Sequence, residues 1–234
     1  MSSGGMPYWN VNVPEDQRSV ECPEFLISLS DKDRTIINTP DADYRADSWE
    51  QVKKKVSTNR LDLFRRKPSD LRRYLEYTWR LRRDHGSVMH FILTQRLHWE
   101  IPIKPTSVIP FENPTDYKIL RNDWPYGIDE RIVHLVVWTR FELTEDPATG
   151  DLTDESRKEI DQFVNNTFSQ HVPPDQYIWF KNWRSLKSVQ AVEHFHVMLF
   201  EPDPSFISHI TNGDIPLCEK VQSQSCRIFG QDSS

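Results

Sequence analysis

The chain has 234 residues, of which 37% are hydrophobic and 12% aromatic, so it is long and apolar enough to bury a sizeable core. This composition excludes an intrinsically disordered protein. The formal net charge of −6 argues against a general nucleic-acid binder, and we expect no nucleic-acid partner.

Cysteine usage and hydropathy bear on the compartment. Cys22, Cys218 and Cys226 are odd in number, widely spaced and without a CxxC pair, which argues against a disulfide framework and favours a reducing compartment. The start MSSGGMPYWNV has neither a basic nor an apolar signal region, and no run of about 18 apolar residues is present. We therefore expect a cytoplasmic or nuclear protein that does not span a membrane.

The first part of the chain predicts an arm followed by helices. Residues 1–29 are rich in proline and aromatic residues and predict an extended surface arm. Ser30 is a candidate N-cap of a short helix, and Ser48 with Gln51 has the spacing of a capping box. We expect residues 30–104 to form a helical lobe.

The longest predicted helix lies in KPSDLRRYLEYTWRLRRDHG, from Pro68 to Gly86. Its apolar spacing predicts one face, which consists of Leu71, Leu75, Trp79 and Arg82. A second helical run, SVMHFILTQRLHW, is expected to continue to Pro102.

Positive charge is concentrated in this lobe. Residues 52–83 carry twelve Lys and Arg against three acids, although the whole chain is acidic. A solvated helix face explains most such runs, and binding of a phosphate or another anion is the alternative.

From about residue 105 the sequence predicts strands. DYKILRN, RIVHLVVWTRFEL, QYIWFKNW and EHFHVMLFEP have β-branched or alternating apolar patterns. Thr153 is a candidate N-cap of a helix with Ile160, Phe163, Val164 and Phe168 at helical spacing, and DPSFISHITNG predicts a short last helix. The order β-β-α-β-β-α predicts an α+β domain with an antiparallel sheet over residues 105–234.

Two histidines interrupt the last predicted strand, AVEHFHVMLF. His194 and His196 are two residues apart, so both rings point to the same side of the sheet. They are satisfied core histidines in the simplest interpretation. The alternatives are a metal site completed by Glu193, His134 or His171, and an imidazole nucleophile tuned by its neighbour.

The elements NDWPYGIDERIVHLVVWTR, GDLTDES, YIWFKNW and SVQAVEHFHVMLF follow one another in this order. The ordered set resembles the histidine-triad (HIT) nucleotide-binding superfamily over about residues 117–202. The resemblance implies that His194 or His196 attacks the α-phosphorus of a nucleotide. In either alignment one of the three histidines is absent, with Val192 or Met198 in its place, so binding without turnover stays open.

The same resemblance implies a substrate-binding set. Asn122 and Asp123 would lie near the ribose or base, and Asn182 and Ser188 near the phosphates. Arg72, with Arg65 and Arg73 as alternatives, is a candidate phosphate ligand because arginine makes bidentate contacts with such oxygens.

At full length, PYWNVNVPEDQ, TNRLDLFRRKPSDLRRYLEYT, FENPTDYKILRNDWPYGIDERIVHLVVWT and LKSVQAVEHFHVMLF are more specific strings. Together they resemble the fungal N-acetylglucosamine-induced protein family, a domain of unknown function, over about residues 7–205. This resemblance implies a fungal, intracellular protein and supplies no reaction.

The sequence therefore predicts an α+β protein in which a helical N-terminal lobe packs on a HIT-like antiparallel sheet with a crossing helix. The favoured function is binding of a nucleotide or nucleotide-sugar, with hydrolysis or nucleotidyl transfer as an extension. A metal-dependent enzyme and a non-enzymatic sensor or adaptor in the N-acetylglucosamine response are the alternatives. We expect no cofactor unless a divalent metal is bound, and a homodimer is an open expectation because HIT proteins commonly dimerise.

Overall fold

The computed structural model describes residues 5–183 and 192–221, which form helices and one antiparallel sheet. The fold is α+β, as predicted. The helices are α1 (Glu24–Ile27), α2 (Asp31–Ile37), α3 (Trp49–Ser57), α4 (Pro68–His85), α5 (Val88–Phe91), α6 (Asp154–Phe168) and α7 (Pro204–Ile210). The strands are β1 (Tyr117–Arg121), β2 (Ile132–Thr139), β3 (Tyr177–Phe180) and β4 (His194–Phe200).

The N-terminal arm is more structured than an extended segment. It contains 3₁₀ turns at Tyr8–Asn10 and Glu15–Gln17 and then helix α1. Each of these elements begins directly after a proline, which presets φ for the first turn of a helix.

The predicted caps of the lobe are present. Ser30 accepts a hydrogen bond from the backbone N–H of Asp33 at the start of α2, and Ser48 forms a capping box with Gln51 at the start of α3. Helix α4 begins at Pro68 and ends before Gly86, which adopts the positive φ of 74° that an L side chain avoids.

The buried face of α4 differs from the predicted one. The helix buries Leu71, Thr78 and Leu81, whereas Leu75 and Trp79 are half-buried and Arg82 is exposed. The prediction of a single apolar face failed because α4 has several neighbours: it packs against α1, α2 and α5 and also faces the sheet. The chain continues through α5 into wide π-type turns at Ile92–Leu97, where the sequence predicted an unbroken helix.

The sheet has the strand order β1-β2-β4-β3, and all its pairs are antiparallel. The predicted element order β-β-α-β-β-α is confirmed. Strand β4 lies between β2 and β3, with His194 opposite Trp138 and His196 opposite Val136. The second central strand therefore carries the two histidines.

Each face of the sheet packs against a different set of helices. The α6 face buries Leu135, Val137, Phe195, Val197 and Leu199 against α6 and α7. Helix α6 begins after Thr153, which accepts a hydrogen bond from the N–H of Ser156, and buries the four residues predicted at helical spacing. The opposite face, here called the lobe face, carries His134, Val136, Trp138, His194, His196 and Met198 beneath the helical lobe.

Cys22 and Cys218 are free thiols, and Cys226 lies outside the described residues. Among residues 5–183 and 192–221, no helix combines the length and apolarity that a membrane crossing requires.

Candidate functional site

A cavity of about 240 Å³ lies between the helical lobe and the lobe face of the sheet; it is called the chamber below. Its sheet side is formed by Val136 and Trp138 of β2 and by His194 and His196 of β4. Its lobe side includes the aromatic rings of Tyr74, Tyr77 and Phe91. The turn after β1 supplies Asn122, Asp123, Trp124 and Tyr126.

The two strand histidines reach the chamber because of the period of a β-strand. Side chains alternate between the faces, so Phe195 and Val197 enter the apolar core under α6 while His194 and His196 face the lobe. The two imidazole rings lie edge to face with centroids 5.6 Å apart. The prediction that they share one side of the sheet is confirmed.

The tautomer of His194 follows from its hydrogen bond. Its Nδ1 lies 2.8 Å from the carbonyl oxygen of Val192, and a carbonyl only accepts, so Nδ1 carries the proton and donates. In the neutral ring Nε2 is then the basic nitrogen. The ring also lies against the indole of Trp138, with centroids 4.5 Å apart. His194 is thus held in one orientation at the chamber wall.

His196 belongs to a buried chain of hydrogen bonds. The Asn182 Nδ2 donates to Nε2 of His196 at 3.0 Å, so the ring proton is on Nδ1, which lies 3.0 Å from Nε2 of His134. The Asn122 Nδ2 lies 3.2 Å from the same nitrogen of His134, while its Oδ1 accepts from the N–H of Trp124. This network fixes two imidazoles and two amides at the edge of the chamber.

Both histidines of this network are neutral. Burial, with a smaller contribution from the charge of Arg66, lowers the pKa of His134 to about 3. Burial and then the neighbouring His134 hold the pKa of His196 well below its usual range. At neutral pH the chamber therefore offers imidazoles that exchange hydrogen bonds and carry no charge.

Two polar atoms at the chamber lack a hydrogen-bond partner. The indole Nε1 of Trp124 and the amide Oδ1 of Asn182 are both buried, and no described residue pairs with either. Both residues line the chamber. Since the large majority of buried polar atoms in proteins are satisfied, an unpaired donor and an unpaired acceptor on two residues of one cavity distinguish this region of the described chain.

Positive side chains outnumber negative ones around the chamber. Lys32, Arg65, Arg66 and Arg121 contribute to its lining, against Asp33 and Asp123. The Asp123 carboxylate is already occupied, since it pairs with the buried guanidinium of Arg96 at 2.9 Å. The electrostatic character of the chamber therefore favours an anion.

The structure brings together most of the substrate-binding set that the HIT resemblance implied. Asn122, Asp123 and Asn182 line the same chamber as the two strand histidines. Ser188 lies outside the described residues. Arg72 does not line the chamber; it donates to the carbonyl oxygen of Trp9 at 2.6 Å and so anchors the N-terminal arm.

The alternative metal set is less well assembled. His134 joins His196 by a hydrogen bond, but Glu193 pairs with Lys181 at 3.5 Å. In the described part of the chain, no group of three or more His, Cys, Asp or Glu side chains is placed to hold a metal ion.

Other chamber residues were missed at the level of sequence. Tyr74 and Tyr77 lie on α4 outside its predicted apolar face, and Tyr126 follows Pro125 in what reads only as a turn signal. Arg66 lies within the basic run, but nothing in the run distinguishes it from its neighbours. Because α4 packs against several elements, its buried residues do not follow a single helical period from which Tyr74 and Tyr77 could be predicted.

Comparison with known proteins shows which family this chain matches. The family described as protein of unknown function (DUF3605) matches residues 48–200, from the start of α3 to the end of β4. N-acetylglucosamine-induced protein 1 of Candida albicans is 27% identical over 185 residues, covering 71% of this chain and 73% of that protein. An uncharacterized protein of Saccharomyces cerevisiae is 25% identical over 172 residues, covering 71% of this chain and 85% of that protein.

A solved structure titled "Crystal Structure of HTC1" shares the fold. Its TM-score is 0.55 at 23% identity, and the superposition covers 76% of this chain and 97% of that chain. The match supports the mixed helical and antiparallel architecture. The HIT resemblance is not carried by these matches and stays a hypothesis.

Proposed function

This chain belongs to the DUF3605 family of proteins of unknown function, and we propose that it binds a small ring-bearing molecule of the nucleotide class in its chamber. Binding without turnover is the core of the proposal. A sensor or adaptor in an amino-sugar response would use the chamber in this way, and the relationship to N-acetylglucosamine-induced protein 1 supports that setting.

The observation that carries the proposal is the pair of unpaired atoms at the chamber. A buried polar atom without a partner costs about 1–3 kcal/mol, and neither the Trp124 Nε1 nor the Asn182 Oδ1 has a partner among the described residues. A ligand that offers one acceptor and one donor, and that these two side chains turn to meet, would remove both costs. The edges of nucleobases present such pairs of atoms.

The aromatic lining supports a flat ring system. Tyr74, Tyr77, Trp124, Tyr126 and Trp138 all border the chamber. Stacking of a base on an aromatic side chain is worth about 1–3 kcal/mol. The excess of positive side chains complements a phosphate.

The chamber is also limited in size. Its volume of about 240 Å³ is just below the range of about 300–1,000 Å³ that is usual for ligand pockets. This size favours a ligand no larger than a nucleoside or its monophosphate, and a nucleotide-sugar would extend beyond the chamber. A nucleotidyl-transfer reaction would need the phosphorus to reach Nε2 of His194, the basic nitrogen of that ring.

The experiment is a thermal-shift screen of purified full-length protein against nucleosides, nucleoside monophosphates and nucleotide-sugars, with titration calorimetry of each hit. A ligand at one hundred times its dissociation constant adds about 2.7 kcal/mol to stability, which a shift in Tm detects. Metal analysis of the same sample tests the metal alternative. One bound metal per chain, with no nucleotide hit, would contradict the proposal.

A matched pair of tryptophan variants tests the site. Trp124→Phe removes the unpaired N–H and keeps an aromatic ring, so we expect about a tenfold loss of affinity for the hit. Trp79→Phe changes a half-buried tryptophan of α4 that does not line the chamber and is expected to bind like the unaltered chain. Equal affinities of the two variants would place the ligand elsewhere.

A further inference from the structure

The solvent exposure of the lining side chains indicates where the chamber opens. Among the described residues that line it, only Lys32 and Arg65 are exposed, and the others are buried or half-buried. These two cations are therefore the described lining residues with the greatest contact with solvent, and we take their side of the chamber as its entrance. A ligand that enters on this side passes the positive charges of Lys32 and Arg65.

Arg66, the next residue along the chain, lies half-buried just inside this entrance. Its guanidinium carbon lies 4.1 Å from the ring centroid of Tyr74 and 5.5 Å from that of Tyr126, and its Nε donates to the carbonyl oxygen of Trp124 at 3.0 Å. These contacts hold the side chain in place, because guanidinium planes pack well on aromatic faces.

The outer nitrogens of Arg66 make no hydrogen bond or ion pair with the described residues. In the part of the chain that the structure describes, Nε makes the hydrogen bond to Trp124, and neither Nη1 nor Nη2 has an acceptor or a carboxylate partner. Lys32, by contrast, donates to the carbonyl oxygens of Asp62 and Phe64 at 2.6 and 3.4 Å. Arg66 is thus a positioned cation with its Nη donors available.

Another part of the chamber lining is apolar. It consists of Leu81, Val88, Phe91, Ile92, Val136 and Leu217. Most of these side chains belong to one buried cluster, which also contains Trp138. His194 packs on Trp138 and therefore borders this apolar part. A charged group placed against these apolar side chains would lose its hydration, and none of them offers a compensating charge.

We infer that Arg66 binds the acidic group of the ligand at the entrance, while the ring enters first and lies against the aromatic and apolar interior. This inference rests on the proposed function and narrows it to a molecule with one terminal anionic group, namely a nucleoside monophosphate. The Nη donors bind two oxygens of one phosphate in the bidentate geometry that arginine favours.

This orientation has a chemical consequence. The phosphorus is held at the entrance by Arg66, and Nε2 of His194 meets the ring-bearing part of the ligand instead. His194 is then a wall of the binding site that exchanges hydrogen bonds, and the chamber retains a nucleotide without attacking its phosphorus.

The test compares a charged ligand with its uncharged counterpart. Calorimetric titration would use AMP with adenosine and UMP with uridine, on the unaltered full-length chain and on Arg66→Gln, Arg66→Lys and Arg80→Gln. Arg80→Gln is the matched control, because Arg80 is exposed on α4, pairs with Glu76 and does not line the chamber. Circular dichroism and Tm check that each variant is folded.

We expect the unaltered chain to prefer the monophosphate over the nucleoside by about 10–100-fold, the range for a hydrogen bond to a charged group. Arg66→Gln should abolish the preference by weakening monophosphate binding alone, and Arg66→Lys should keep part of it. Arg80→Gln should behave like the unaltered chain. The preference should also fall with added salt.

The other outcomes separate the two proposals. A preference that survives in Arg66→Gln would place the acid elsewhere and overturn the inference, with the proposed function intact. A parallel loss for monophosphate and nucleoside would make Arg66 structural and overturn it likewise. Binding of no nucleoside and no monophosphate by the unaltered chain would overturn both proposals together.

Discussion

The two faces of the sheet are built from the same strands but filled differently. On the α6 face, Phe195, Val197 and Leu199 alternate into a hydrophobic core with α6 and α7. On the lobe face, the intervening residues include His194 and His196, and a cavity of about 240 Å³ separates them from the helices. One face uses its residues for stability, and the other keeps buried polar groups and empty space that cost stability.

The largest expected effect is the loss of a ring from the α6 face. Phe195 is 0% exposed and meets Phe111, Phe163 and Trp179 edge to face. Phe195→Ala should lower the free energy of unfolding by about 3–5 kcal/mol. Urea denaturation followed by circular dichroism measures this loss.

Its neighbour on the lobe face provides the comparison. His194→Ala removes a ring that borders empty space and one hydrogen bond to Val192, so we expect a loss of only about 1–2 kcal/mol. Equal losses of stability in the two variants would show that the lobe face is packed as tightly as the α6 face.

The second effect is a loss of stability in mild acid that originates on the lobe face. His134 and His196 stay neutral when folded, with pKa values well below the usual 6.5, whereas in the unfolded chain they bind protons near that pH. Unfolding therefore takes up two protons as the pH falls below about 6.5. Stability is fully present above this pH and should fall by about 3 kcal/mol between pH 6.5 and 5.

A variant assigns this loss to its source. Denaturation series at several pH values should show a slope lower by about 1.4 kcal/mol per pH unit in His196→Gln, because one titrating group is removed. An unchanged slope in His196→Gln would show that His196 does not contribute to the acid sensitivity.

The third effect compares adjacent valines of β2. Val137 is 0% exposed on the α6 face, and Val136 lines the chamber on the other. Val137→Ala should cost about 2–3 kcal/mol, since it loses two methyl groups and leaves a new cavity. Val136→Ala should cost about 1 kcal/mol, because part of its surface already lacks partner atoms. A cost for Val136→Ala that matches Val137→Ala would contradict the chamber.

How much of this could be predicted from the sequence differs between the two faces. The α6 face could be predicted from local patterns. Thr153 marks the start of α6, and the apolar residues of α6 and β4 recur with the periods of a helix and a strand because each element buries one side in this core. Local rules suffice there because a helix with one neighbour shows one period.

The lobe face could be predicted from the sequence only in part. Alternation placed His194 and His196 together, but the contact of His196 with His134 depends on the pairing register of β2 and β4, which the local pattern does not specify. Tyr74, Tyr77 and Arg66 were missed because α4 and the segment before it face several neighbours. A site formed by such residues can be recognised only from the tertiary structure, because local sequence patterns do not show which elements pack together.

The smallest expected effect tests the empty space directly. Val136→Ile adds one methylene group toward the chamber, so we expect stability to stay within about 0.5 kcal/mol or to rise slightly. Val137→Ile adds the same group to a filled core and should cost about 1–3 kcal/mol through overpacking. Because the added methylene occupies ligand space, Val136→Ile should also weaken nucleoside binding, whereas the folded Val137→Ile should bind normally. If Val136→Ile is instead destabilised as strongly as Val137→Ile, the chamber is closed in solution, and a ligand must then open it before it binds.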